Sequence, residues 1–261
     1  MNIVTSHDGT KIAYDRQGQG PPLIFVDGAL CARGSKADLA ALLAPHFTVY
    51  TYDRRGRGDS GDTLPYAAER EIEDIAAVIA EAGGTASLYG HSSGAALVLR
   101  AAAALGPAVP EIALYEAPYN NDPAARRAWE TYLRQLNEAL EGGRRGDAVA
   151  LFMALVGTPA EQINGARQSP FWPAMEAIAP TLAYDHAGAM GGDGSVPTGL
   201  AARVSVPALV MYGDASFPFM AVTARALSQA MPHAQLRVVE GEGHDVNPAV
   251  LAPVLTGFFA A

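Results

Sequence analysis

Ala86-Ser87-Leu88-Tyr89-Gly90-His91-Ser92-Ser93-Gly94-Ala95-Ala96-Leu97-Val98-Leu99 decides how this chain folds. A short apolar run enters Gly90-His91-Ser92-Ser93-Gly94, and a longer one of helical character leaves it. Read as strand, turn and helix, this is the G-x-S-x-G pattern that presents a serine at the tip of a tight turn. Such a tip is a strained backbone position, so the residues two places before and after must be small. The two glycines meet that demand. The Ser92 hydroxyl then projects from the sheet edge as a candidate nucleophile. The amide of Ser93 opens the helix, where the helix dipole favours negative charge, and is a candidate oxyanion donor.

Working outward, Ile3–Ser6 and Lys11–Asp15 read as a hairpin through the turn Asp8-Gly9. Leu23-Ile24-Phe25-Val26 is a continuous apolar run, as in a strand buried on both faces. A helix over 39–44 ends at Pro45, a strand covers 47–52, and 71–81 sets Ile72, Ile75, Val78 and Ile79 on one helical face. Residues 111–115 read as the strand after the elbow helix. Strands alternating with helices predict a doubly wound, mainly parallel α/β sheet.

The alternation then stops. Helices without strands are predicted at 123–141, 146–156, 159–167 and roughly 171–184, followed by a flexible glycine-rich loop at 188–194. Strands resume at 208–212 and 236–239, with helices near 220–230 and 248–259. Residues 1–117 and 200–261 therefore read as one core. Residues 118–199 read as a helical cap over the C-terminal edge of the sheet, where open α/β sheets bind ligands.

Composition narrows the function classes. The chain has 261 residues, 49% of them hydrophobic, and a net charge of −9, which argues against nucleic acid as a partner. Arg54, Arg55 and Arg57 cluster between Asp53 and Asp59 and read as a locally salt-bridged loop. Cys31 is the single cysteine, so no internal disulfide can form and a reducing compartment is expected. The N-terminus lacks a basic, apolar leader. No stretch reaches the roughly 18–20 apolar residues of a membrane span. The expectation is a soluble cytoplasmic protein, monomer or homodimer. No metal-ligand cluster, phosphate loop or dinucleotide fingerprint is apparent, so neither metal nor cofactor is expected.

Four motifs in order, Phe25-Val26-Asp27-Gly28, the segment from Tyr52 to Ser60 (Tyr-Asp-Arg-Arg-Gly-Arg-Gly-Asp-Ser), the elbow and Gly241-Glu242-Gly243-His244, give the chain its resemblance to the α/β-hydrolase superfamily. The resemblance runs from Ile3 to Phe259. It implies an eight-stranded sheet with a cap after the sixth strand, and attack by the elbow residue supported by a histidine and an acid. His244 stands where the family places its base, which would take the Ser92 proton and later return it. Two positions are open for the acid. In Gly213-Asp214-Ala215-Ser216-Phe217-Pro218 the family's usual aspartate position holds Ser216, with Asp214 nearby. In Ala113-Leu114-Tyr115-Glu116-Ala117-Pro118 the segment is similar to that of haloalkane dehalogenases whose acid is a glutamate at the end of strand 6. Glu116 follows Ser92 by 24 residues (116 − 92). Glu116 is placed first and Asp214 is the alternative. Dehalogenase activity is not implied, because that reaction uses an aspartate nucleophile.

By family position Ala29 joins Ser93 as the second oxyanion donor, and Gly28 lets the backbone approach. Asp27 stands where the family commonly has histidine and reads as a loop-orienting carboxylate that accepts backbone amides. Cys31 reads as a small buried residue, and His91 as packing beside the elbow or helping to hold it. His186 reads first as a solvated loop histidine of the cap, with contact to substrate as the alternative. Tyr119, Phe152 and Trp172 of the cap, with Phe217 and Gly28, are candidate substrate-binding residues of an apolar pocket. The expected substrate is a small or medium hydrophobic ester, thioester or lactone, cleaved through an acyl-enzyme on Ser92. C–C bond hydrolysis, perhydrolysis, a biosynthetic cyclisation or a non-enzymatic ligand-binding receptor remain alternatives on the same scaffold.

Overall fold

A computed structural model describes residues 1–260, the side chain of Ala187 excepted; the last residue of the 200–261 segment lies outside the described residues. Eight strands make one sheet: β1 (Asn2–Thr5), β2 (Lys11–Gln17), β3 (Pro22–Val26), β4 (Thr48–Tyr52), β5 (Ser87–His91), β6 (Ile112–Tyr115), β7 (Ala208–Gly213) and β8 (Ala234–Val239). Their order is β1-β2-β4-β3-β5-β6-β7-β8. The β1–β2 and β2–β4 pairs are antiparallel, and every other pair is parallel. This is the doubly wound, mainly parallel eight-stranded sheet expected from the motifs.

Helices α1 (Ala37–Leu43), α2 (Ala68–Glu81) and α3 (Ser93–Leu105) connect the early strands. Between β6 and β7 lie α4 (Pro123–Glu141), α5 (Arg145–Leu155), α6 (Ala160–Ala166), α7 (Trp172–Ile178) and α8 (Thr198–Ala201). After β7 and β8 come α9 (Pro218–Ala230) and α10 (Pro248–Phe259). The apolar run of β3 shows why it needs no polar face. Side chains alternate across a strand. Leu23 and Phe25 pack with α1 and α10 on one side, while Ile24 and Val26 pack with α2, α3 and α9 on the other.

The segment between β6 and β7 has an apolar cluster of its own, with Tyr132, Leu136, Val149, Trp172 and Leu182 buried in it. Its first helix is well capped. Asp122 accepts the amides of Ala124 and Ala125 at 2.8 and 2.9 Å, and Pro123 fills the first helical position. The single helix expected over 171–184 is broken instead. α7 stops at Ile178, a 3-10 turn covers Ala179–Thr181, and a π-helical turn covers Tyr184–Ala189. Pro180 lacks the N–H that a continuing helix would need. The loop expected at 188–194 thus begins inside that π turn. No described helix is long and apolar enough to cross a membrane.

Candidate active site

Gly90 and Gly94 make the elbow possible through contacts outside it. A Cβ on Gly90 would lie 2.6 Å from Ala95 Cα, and one on Gly94 would fall on the Val26 carbonyl. Between them Ser92 adopts φ 58° and ψ −129°, and its N–H donates to the Tyr115 carbonyl at 3.0 Å. Three non-glycine residues among those described have positive φ: Leu30, Ser92 and Glu116. All three stand in the segments that carry the expected site residues. Such backbone concentrates where function dictates geometry.

Glu116 lies at the C-terminal end of β6 and is 2% exposed. Its Oε2 accepts from His244 Nδ1 at 2.7 Å and from Ser216 Oγ at 2.8 Å; its Oε1 accepts from Gly213 N at 2.9 Å. A carboxylate that accepts the Nδ1 proton leaves the Nε2 lone pair of His244 free. Asp214 goes elsewhere: it caps the Gly241 amide at 2.6 Å on an exposed loop. Ser216, at the family's usual acid position, donates its hydroxyl to Glu116. The structure joins His244 to Glu116 by a hydrogen bond, and brings Ser92 and His244 together as two walls of one cavity.

Two side chains hold the loop that carries His244. Tyr115 donates to the Gly243 carbonyl at 2.6 Å, and His91 Nε2 meets the His244 carbonyl at 2.9 Å. A carbonyl can only accept, so His91 carries its proton on Nε2. Its buried Nδ1 has no partner among the described residues. Burial holds this imidazole well below its ordinary pKa, so it is neutral. His91 thus ties the elbow to the loop that carries His244.

The shared cavity has a volume of about 490 Å³. Gly28, Ala29, Ser93, Phe152 and Phe217 line it, together with Trp129, Met190, Phe219 and Met220. Gly28 is the near wall: a Cβ there would lie 2.9 Å from Ser92 Cβ. Two expected pocket residues are not in the wall. Tyr119 is fully buried in the main core beside α9, and Trp172 is buried in the cluster between β6 and β7, with Arg167 over its ring. Helical spacing alone does not separate a core aromatic from a pocket one. A shallower groove of about 580 Å³, lined by Arg144, Asp147 and Arg167, lies away from Ser92.

His186 departs from the solvated-loop reading and takes the alternative position, at the cavity. The π turn tucks it into the cavity wall, 2% exposed, with its Nδ1 3.3 Å from the Tyr132 hydroxyl and its ring edge-to-face with Trp129, centroids 4.8 Å apart. Burial lowers its pKa to about 4 despite the neighbouring Asp185. Cys31 is half-buried and also lines the cavity. Arg126 lines it too, paired with Asp193 at 3.2 Å.

The arginine cluster also departs from its expected form. Arg54, Arg55 and Arg57 are 2%, 0% and 1% exposed, and none pairs with the flanking Asp53 or Asp59. Arg55 binds Asp74 and Asp8, whereas Arg54 takes Glu71. Both Arg54 and Arg57 reach Asp185, in the π turn. Asp27, expected to accept backbone amides, is buried with Oδ1 unpartnered among the described residues. Burial raises its carboxyl to about 6, against the pull of Lys36, Arg57 and Arg54. No described group of three or more His, Cys, Asp or Glu is placed to hold a metal ion.

An elbow serine beneath a cavity, on an eight-stranded sheet of this order, defines a class, and comparison with known proteins agrees. The chain belongs to the alpha/beta hydrolase family, whose model matches residues 29–254, and it is an enzyme of that family. It is 49% identical to an alpha/beta hydrolase of Sphaerobacter thermophilus, with a TM-score of 0.89 over 99% of this chain and 100% of that one. It is 32% identical to N-formylmaleamate deformylase of Pseudomonas putida over 157 residues; that match spans 57% of this chain and 58% of the deformylase. It is 25% identical to a non-heme chloroperoxidase of Kitasatospora aureofaciens over 94% of this chain and 93% of that protein.

Proposed function

We propose that the chain is a serine hydrolase that cleaves a small or medium, largely apolar ester, thioester or lactone through an acyl-enzyme on Ser92. The observation that carries this reading is the Glu116–His244 bond at 2.7 Å, with His244 and the strained Ser92 in one cavity wall. Ser92 Oγ attacks the acyl carbon while His244 Nε2 takes its proton. The carbonyl electrons move to oxygen, which the amides of Ala29 and Ser93 receive. The tetrahedral adduct collapses and the leaving alkoxide or thiolate takes the proton from His244. Water then attacks the acyl-enzyme, gives its proton to His244 and releases the acid; Ser92 recovers its proton. Glu116 holds the His244 ring and stabilises its charged form, with Gly213 and Ser216 fixing the carboxylate.

In this reading residues 118–199 form the cap and supply Phe152, Trp129 and His186 to the pocket. The remaining residues, 1–117 and 200–261, form the core. The apolar wall of Phe152, Phe217, Phe219 and Met220 favours an apolar acyl or alkyl group.

The test is labelling by a fluorophosphonate probe, followed by a panel of esters, thioesters and lactones. N-formyl amides join the panel because of the deformylase relative. Hydrogen peroxide joins it as an alternative acceptor because of the chloroperoxidase relative. Labelling of the wild type that is lost in Ser92→Ala, with turnover of at least one panel member, is the expected result. A folded wild type that neither labels nor turns over any of them refutes the proposal.

A further inference from the structure

The proposed oxyanion donors, Ala29 and Ser93, come from different loops, and nothing in their own sequence holds them at a common point. One buried carboxylate touches the support of both. Ser93 Oγ donates to Asp185 Oδ1 at 2.8 Å. Arg57 Nη2 donates to Asp185 Oδ2 at 2.8 Å, while its Nη1 donates to the Gly28 carbonyl at 2.6 Å. That carbonyl belongs to the same trans peptide as the Ala29 N–H, so the two point in opposite directions. Arg57 is buried outside the cavity wall. By holding the carbonyl it turns the amide the other way, toward the wall that Gly28, Ala29 and Ser92 share.

Arg54 completes the arrangement. Its Nη1 donates to Asp185 Oδ1 at 2.6 Å and to the carbonyl of Asp27 at 3.2 Å, and its other nitrogens bind Glu71. Two arginines face two carboxylates, so the cluster is neutral and each charge is paired. Burial alone would raise the Asp185 carboxyl. Arg57, Arg54, His186 and the Ser93 hydroxyl together hold it below the usual carboxylate range. A cluster needed only for stability could end on any polar group. This one ends on the carbonyls of Asp27 and Gly28 and on the side chain of Ser93.

We infer that Arg57 and Asp185 are positioning residues that set the Ala29 and Ser93 amides for the oxyanion. This rests on the serine-hydrolase reading for its catalytic consequence, but not for the geometry it asserts. Donors that stabilise developing charge must be fixed before the reaction. Loosening them costs the transition state more than the bound substrate.

Three variants test it: Asp185→Asn, Arg57→Lys, and Ser93→Ala, which removes only one hydroxyl if the charge variants fail to fold. The first readout is kcat and KM on an ester that the wild type turns over, with affinity for an alkyl boronic acid as a tetrahedral mimic. The expected result is a kcat lower by about 10- to 100-fold, KM within about threefold, and boronate affinity falling in step with kcat. A folded variant whose kcat is unchanged, or whose KM rises as much as its kcat falls, overturns the inference. The second readout needs no turnover: the amide proton and nitrogen NMR shifts and hydrogen-exchange rates of Ala29 and Ser93. In Asp185→Asn both amides are expected to shift and exchange faster. If neither changes, the inference fails, even where the ester assays succeed. If both change in a protein that hydrolyses nothing, the positioning stands and the serine-hydrolase reading is what fails.

Discussion

Replacing Glu116 with glutamine changes one oxygen to an amide nitrogen and removes a charge, and the three bonds at this carboxylate fix the consequence. Oε1 takes the Gly213 amide, while Oε2 takes both His244 Nδ1 and the Ser216 hydroxyl. A glutamine has one acceptor oxygen and a donor NH₂. With its oxygen toward Gly213, the NH₂ faces His244 and favours the tautomer whose Nε2 already carries a proton. That ring cannot take the Ser92 proton. With its oxygen toward His244, the NH₂ confronts the Gly213 N–H, a buried mismatch of about 1–3 kcal/mol. The expected loss in kcat is about 10³- to 10⁴-fold, or ~4–5.5 kcal/mol of transition-state stabilisation. Asp214→Asn loses only an exposed loop cap and is expected to stay within about threefold of wild type. Steady-state hydrolysis of p-nitrophenyl butyrate, fluorophosphonate labelling rates and thermal melts of both variants form the assay. A folded Glu116→Gln that keeps more than about a tenth of wild-type kcat would refute this reasoning. So would an Asp214→Asn that is equally impaired.

The remaining predictions address burial, packing and the cavity wall. Asp27 is held up at about 6 against an ordinary 3.8, so folding disfavours its ionisation. That cost is small below pH ~4, grows between pH ~4 and ~6, and levels off at ~3 kcal/mol above that. Asp27→Asn is therefore expected to stabilise the protein by about 2–3 kcal/mol at pH 8 and by little at pH 4; equal shifts in urea unfolding at both pH values would contradict this. Trp172→Ala is expected to cost ~3–5 kcal/mol of stability, as truncation of a buried core aromatic. Phe217→Ala, at the half-open wall, should leave the melting temperature nearly unchanged and raise KM. The reverse pattern would move Trp172 to the pocket. Gly28→Ala would set a Cβ 2.9 Å from Ser92 Cβ and 3.4 Å from its hydroxyl. It should slow fluorophosphonate labelling by about 10²-fold in a folded protein, whereas an undiminished rate would mean that the wall gives way.

Local signals account for what the sequence revealed. The sheet was legible because β3, β6 and β7 are buried on both faces and read as apolar runs between turn residues. The elbow was legible because only small residues fit at 90 and 94. The Glu116–His244 bond was anticipated through the resemblance of 113–118 to the strand 6 segment of haloalkane dehalogenases, with Ser216 at the usual acid position; the residues alone left Asp214 open. What stayed hidden depends on long-range partners. Arg54 and Arg57 find Asp185 more than 120 residues away, so a cluster that looked local is the buried link between two parts of the chain. His186 is next to that carboxylate and goes inside with it, although the glycines that follow suggested a solvated loop. Tyr119 and Trp172 have the composition of pocket residues, and only the direction of each side chain consigns them to the core. The break at Pro180 is visible in the sequence, but the π turn that follows has no local signal.

The carboxylate partner of His244 rises from β6. The turn after β7 therefore contributes a single hydroxyl, from Ser216, to the Glu116–His244 pair. Phe217 and Phe219, immediately beyond it, stack at 5.9 Å and face the cavity. Side-chain size at these two positions can then be varied without altering any ionisable group that His244 depends on. For laboratory evolution of acyl-chain length, positions 217 and 219 are where a small combinatorial library belongs, with Ser216 left untouched.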